Sequence, residues 1–87
     1  MVIPFDEHID GHIYIRTFSS DVDVNELKWH FDEEDRIIES TSETDWRFQF
    51  DNKLPHLISD RIHIPKGEWH RIIKGTGNLE LRVKKMS

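Results

Sequence analysis

The chain has no cysteine. That excludes disulfides, thiolate metal sites and thiol catalysis, and it is compatible with a reducing compartment. Long apolar runs are also missing: none approaches the ~18 residues of a membrane span. The opening MVIPFDEHID has neither the basic region nor the apolar stretch of a secretory signal. Basic residues are scarce, with 12 Lys and Arg against 17 Asp and Glu and a formal net charge of -5. A backbone-driven nucleic-acid binder needs a positive footprint to displace phosphate counterions, so that class is set aside. The one local basic cluster, Arg82, Lys84 and Lys85, reads as a solvated strand end. A soluble, intracellular protein with neither nucleic acid nor membrane as partner is the expectation. Length is short too. With 87 residues the chain is expected to form one domain over residues 1–87, and a domain of this size buries only roughly 60% of its unfolded surface. A metal or a second subunit is expected to reinforce so small a core.

What the chain does have is six histidines and a series of short alternating runs. Residues 1–11 read as an N-terminal arm, because Pro4, Asp6, Glu7, Asp10 and Gly11 deny them a long periodic element, although Val2, Ile3 and Phe5 can pack along a sheet edge. HIYIRTF, His12–Phe18, is the first clear strand. Ser19–Asn25 is a loop with room for one helical turn near Val22–Leu27, capped by Asp21 or Asp23. Leu27–Phe31 reads as a second strand and Arg36–Glu39 as a third, joined by the acidic bend Asp32-Glu33-Glu34-Asp35. In WRFQF, Trp46–Phe50, three aromatics share one face and give the strongest core signal in the chain.

Pro55 makes Leu54–Ile58 an edge or bent connection, followed by a turn at Ser59-Asp60. Ile62 and Ile64 point inward, Pro65–Glu68 is a turn in which Gly67 takes a positive φ, and Trp69–Lys74 and Leu79–Val83 complete about seven strands. With no substantial helix, the reading is an all-β fold, a small antiparallel barrel or jelly roll.

Two stretches carry the chemistry. His30 and Asp32 are two apart, so in extended chain they share a face. His70 follows the Pro65-Lys66-Gly67 turn. If the two stretches lie side by side, His30, Asp32 and His70 converge, and two imidazoles with one carboxylate suit iron or another first-row divalent metal. Ordinary patterning offers the opposite arrangement, with Leu27, Trp29 and Phe31 in the core and His30 and Asp32 in solvent. His63, opposite in parity to Ile62 and Ile64, is set apart from the ligands, and His8, His12 and His56 read as surface residues. Replacing His70 by Ala is expected to remove a ligand without opening a large hydrophobic cavity.

The stretch Ser59–Lys74 resembles the second conserved motif of the cupins, with Pro65, Gly67 and His70 at the familiar spacing, Ser59 where glycine is usual and Lys74 where asparagine is usual. His30 matches the first histidine of the first cupin motif. Asp32 replaces the second, and Asp35 or Arg36 stands near the place of the acid. From His12 onward the chain looks like small single-domain cupin-like proteins encoded by bacteria and their viruses, which share WHxD, DR, FQFDN and HRxIKG. The resemblance implies a cupin-like barrel and a place in the cytoplasm of a bacterial or virus-infected cell.

The ligand set also resembles the His-x-Asp...His triad of iron oxygenases built on related jelly rolls, which implies Fe(II) as the metal. Members that use 2-oxoglutarate hold its carboxylate with a late-strand arginine. By parity Arg82 faces outward here, and Arg36 could reach inward instead.

A serine nucleophile elbow, a phosphate loop and a facing carboxylate pair are all absent. Two classes are left: a small metal-dependent enzyme acting on a small molecule, and a non-catalytic binding or interaction protein. In the first, Arg36 binds an anionic substrate, Trp46 and Phe48 form apolar walls, and Gln49 adds a polar wall if strand twist brings it inward. Trp29, Phe31, Trp69 and Ile73 have parity opposite to the ligands. Large apolar side chains left outside the cavity point to a homodimer packed through this face.

Overall fold

The structure, a computed structural model, describes residues 3–58 and 61–86. Eight strands are present among them: β1 Asp6–Asp10, β2 Ile13–Phe18, β3 Asp35–Ser40, β4 Arg47–Phe50, β5 His56–Leu57, β6 Ile62–Ile64, β7 His70–Ile73 and β8 Leu79–Met86. They form two antiparallel sheets, one ordered β1-β2-β8-β3-β6 and the other β5-β4-β7. The all-β reading is correct. The turn expected at Ser59-Asp60 and the apolar Val2 lie outside the described residues.

The register decides which side chains face inward. Tyr14 pairs with Val83, Arg16 with Leu81 and Phe18 with Leu79. On the other flank of β8, Ile38 pairs with Val83 and Arg36 with Lys85. Directly paired residues share a face, so Arg16 and Arg36 lie on the same inner face as Phe18, Leu81 and Val83. Trp46 and Phe48 cover that face from the second sheet. Together with Phe18, Ile38, Ile58, Ile62, Ile64, Leu79, Leu81 and Val83 they are the buried apolar core among the described residues. The alternation of Leu79–Val83, buried at every second position, is the physical counterpart of the sequence pattern.

Two segments depart from expectation. Asp6–Asp10, read as part of an arm, is a strand whose every residue is exposed. It pairs with β2 through backbone hydrogen bonds and across a turn at Gly11, φ +63°, so apolar periodicity had little to report. Leu27–Phe31, read as a strand, is an extended connection tied to β7 by one isolated bridge between His30 and His70. Before it, Val24–Glu26 forms a single 3-10 turn in which the Asp23 carboxylate accepts from Asn25 N–H.

Candidate metal centre

The connection that carries His30 and Asp32 is held by backbone contacts on both sides. His30 N–H donates to the His70 carbonyl at 3.0 Å and His70 N–H returns to the His30 carbonyl at 2.9 Å. Gly67 N–H donates to the Asp32 carbonyl at 3.0 Å, which the left-handed conformation of Gly67, φ +82°, permits. The Asp35 carboxylate accepts from Lys66 N–H at 2.7 Å and so pins the same turn. Asp35, a neighbour of the expected acid position, is thereby committed to structure. The chain needs no ladder here: one bridge and one turn set His30, Asp32 and His70 together.

One ligand atom from each of the three lies within 4.8 Å of the others. The His30 and His70 rings are 4.3 Å apart, and His70 Nε2 is 3.3 Å from Asp32 Oδ2. His70 is 3% exposed and its ring stacks on Phe48 at 5.4 Å. Alanine at position 70 would therefore leave a hole against Phe48, contrary to the expectation of a clean ligand deletion.

The tautomers follow from the backbone. His30 Nδ1 lies 2.9 Å from the Lys28 carbonyl and His70 Nδ1 lies 2.8 Å from the Glu68 carbonyl. A carbonyl only accepts, so each Nδ1 carries the proton and each neutral ring offers its Nε2 lone pair to the shared point. This outer-sphere arrangement orients metal-ligating histidines generally.

Charge at the site favours the same state. Burial of the His30 ring, the largest influence, lowers its pKa below the ordinary value, and the neighbouring His70 and Arg36 act in the same sense against the opposing pull of the Lys28 carbonyl and Asp32. Burial would raise the Asp32 carboxyl. Contact with His70 Nε2, a hydrogen bond only while that nitrogen carries a proton that a bound metal would displace, and the charge of Arg36 outweigh it and hold the group below the ordinary carboxylate range. A neutral His30 and an ionised Asp32 are the forms a divalent cation takes.

Of the other expected site residues, Arg36 reaches inward as proposed, but its terminal nitrogens are taken by Asp32 and Glu34, each at 3.2 Å. Its Nε is buried and meets no partner among the described residues. Phe48 lines the space beside the triad. Trp46 does not line it. The indole is fully buried, packed on Phe18, with Nε1 donating to the carbonyls of Thr76 and Gly77. Gln49 turns away as well, accepting from Arg71 Nε at 2.9 Å and donating to the Lys53 carbonyl at 2.9 Å. Strand twist does not reverse its parity.

Arg82 is half-exposed and pairs outward with Glu39 at 3.8 Å. Trp29, Phe31 and Trp69 are exposed, with Phe31 against Trp69 and Arg71 over Trp29, whereas Ile73 is half-buried. Sequence reasoning missed Arg16, which lines the space shared with His30, Asp32 and His70. Its parity with Phe18 was the available signal.

No protein-family model and no curated protein matches the sequence. Among solved structures, protein NMB1881 from Neisseria meningitidis is similar with a TM-score of 0.59 at 15% identity, over 95% of this chain and 82% of that one. The Fe(II) form of HppE in complex with substrate gives 0.66 at 10% identity over 99% of this chain, which spans 55% of the HppE chain. A cupin domain from Bordetella pertussis Tohama I gives 0.64 at 11% identity, over 95% of this chain and 92% of that domain. Likeness at this level of identity concerns the fold, and together with the two antiparallel sheets it establishes a small cupin-like jelly roll.

Proposed function

We propose that the chain binds a divalent first-row metal ion, Fe(II) foremost, through His30 Nε2, an Asp32 oxygen and His70 Nε2, and acts there on a small molecule. The observation that carries this is the pair of Nδ1 contacts to backbone carbonyls, which leaves two imidazole lone pairs and one carboxylate aimed at a common point. A two-histidine, one-carboxylate set suits Fe(II) by ligand type, and the Fe(II) form of HppE shares the fold. Three protein ligands leave further positions at which a bound metal polarises or binds a substrate. Arg36 positions Asp32, and Phe48 holds the His70 ring in place.

Metal analysis by plasma mass spectrometry of protein purified without a histidine tag tests the binding, with about one metal per chain expected. Oxygen consumption with Fe(II) and candidate cosubstrates tests the catalysis. A second reading, a non-catalytic binding protein that keeps the metal for stability, is favoured by the narrow space directly beside the triad, about 30 Å³. Metal-dependent stability without oxygen consumption or turnover would select it. The exposed Trp29, Phe31 and Trp69, with Ile73 beside them, support a homodimer through the outer face of β7, and the lack of cysteine is consistent with function in a reducing cytoplasm.

A further inference from the structure

Next to His30 lies a cavity of about 310 Å³, at the lower end of the range of small-molecule sites, roughly 300–1,000 Å³. Phe5, Phe18, Leu27 and Ile72 make its body apolar, and Arg16 and His30 face it from the barrel side. Lys28 and Glu26, also on its wall, carry opposite charges that offset one another.

Arg16 is held in an unusual way. Its guanidinium lies 4.4 Å over the Phe5 ring, and its Nε donates to Glu7 Oε2 at 2.6 Å. Among the described residues its two terminal nitrogens meet no protein acceptor and stay open to solvent, while the side chain as a whole is only 16% exposed. Arg36 differs in having both terminal nitrogens occupied by carboxylates. A guanidinium with its terminal edge free is matched by the two oxygens of a carboxylate.

We infer that this cavity takes a small carboxylate with a compact apolar body. The terminal nitrogens of Arg16 hold the carboxylate, and Phe18, Leu27 and Ile72 enclose the body beside His30. Glu7 keeps the Nε contact, so binding displaces no protein partner. The inference rests on the metal reading in one respect: a dication balanced by the single carboxylate of Asp32 leaves excess positive charge nearby, which an anion offsets and an ammonium group aggravates.

The test uses phenylacetate, its neutral isostere 2-phenylacetamide and phenethylamine, titrated calorimetrically into the full chain, first metal-free and then loaded with Zn(II). Methyl shifts of Leu27 and Ile72 locate the ligand. In the metal-free protein phenylacetate is expected to bind at least tenfold more tightly than the other two, and Zn(II) should widen its advantage over phenethylamine. Arg16→Gln should abolish the preference. Leu27→Trp, which fills the cavity and leaves Arg16 in place, should abolish binding.

Absence of phenylacetate binding, equal binding of acid and amide, a preference that persists in Arg16→Gln, or undiminished binding in Leu27→Trp overturns the inference. A chain that takes up no Zn(II) but keeps the acid preference refutes the metal proposal and supports this one. A chain that binds Zn(II) without the preference refutes this one alone.

Discussion

Removing either histidine should abolish metal-linked stability, yet the two variants should differ sharply before any metal is added. The His70 ring is 3% exposed and stacked on Phe48, so His70→Ala opens a hole in packed structure. By analogy with other large-to-small core changes this costs roughly 2–4 kcal/mol. For a domain of 60–100 residues each kcal/mol moves Tm by about 4–8 °C, so the metal-free variant should melt at least about 8 °C below the parent. His30 sits at the rim, exposed as a residue although its ring is partly withdrawn from water, and its replacement loses one net hydrogen bond, to the Lys28 carbonyl, worth about 1 kcal/mol. Its metal-free Tm should fall by only about 4–8 °C.

A metal held at a hundred times its Kd adds about 2.7 kcal/mol to the parent, or about 11–22 °C by the same conversion. Neither variant should show that rise at the same metal concentration, and a chelator should return the parent to its metal-free Tm. The assay is thermal denaturation by circular dichroism with Zn(II) or Fe(II) under anaerobic conditions. A rise in His30→Ala equal to that of the parent would refute the triad.

Acid should weaken the metal-free fold in two stages. The folded pKa of His30 lies below its ordinary 6.5, so the unfolded chain binds more protons and stability falls as pH drops below that value. Asp32, depressed from 3.8, contributes stability that is lost as pH falls further, through its folded pKa. Urea midpoints measured against pH should show the upper step shrink in His30→Ala; an unchanged step would sink the assignment. Gly75→Ala should lower Tm by about 4–24 °C, from 1–3 kcal/mol of overpacking, because a Cβ there would meet the Asp45 side chain, Trp46 N at 2.7 Å and the Asp45 carbonyl carbon at 2.8 Å. A Tm within a degree of the parent would mean that the Asp45–Trp46 backbone yields freely. Sedimentation at micromolar concentration should show a dimer that Trp29→Glu dissociates, and a parent that runs as a single species of the chain mass defeats the contact.

The core was legible where one face of a strand is apolar and the other is not. Trp46 and Phe48, and Leu79, Leu81 and Val83, alternate with polar neighbours and occupy the inner faces that alternation requires. The β1 strand was illegible because its stabilisation is mainly backbone pairing, and every residue in it is exposed, with Glu7 alone tied inward through Arg16. The convergence of His30, Asp32 and His70 follows from a premise only half right. His30 and Asp32 do share a side, because any extended segment places residues two apart on one side, but the segment belongs to no ladder. Trp46 was misassigned to the cavity wall because parity says which way a side chain points and is silent on how deep it goes. Its indole is buried behind Phe18, capped by the Thr76 and Gly77 carbonyls.

On β2, parity with Phe18 places a charged side chain, Arg16, on the inner face beside the candidate site. Phe18 is buried and Arg16 shares its face, paired across the sheet with the equally buried Leu81. An arginine at such a position gives up hydration, and a surface ion pair returns little, typically 0–1 kcal/mol. Glu7 satisfies one nitrogen of Arg16 and Phe5 covers its face, an arrangement that holds the guanidinium still while leaving its far edge open. Arg36, on the same inner face, is closed by two carboxylates, one of them the candidate ligand Asp32. Under the proposed function the two inward arginines would divide the work: Arg36 would fix the charge and position of Asp32, and Arg16 would present a donor edge to a ligand beside His30. Stability alone accounts for neither placement, since an apolar side chain at either position would extend the core that Leu81 and Val83 already form.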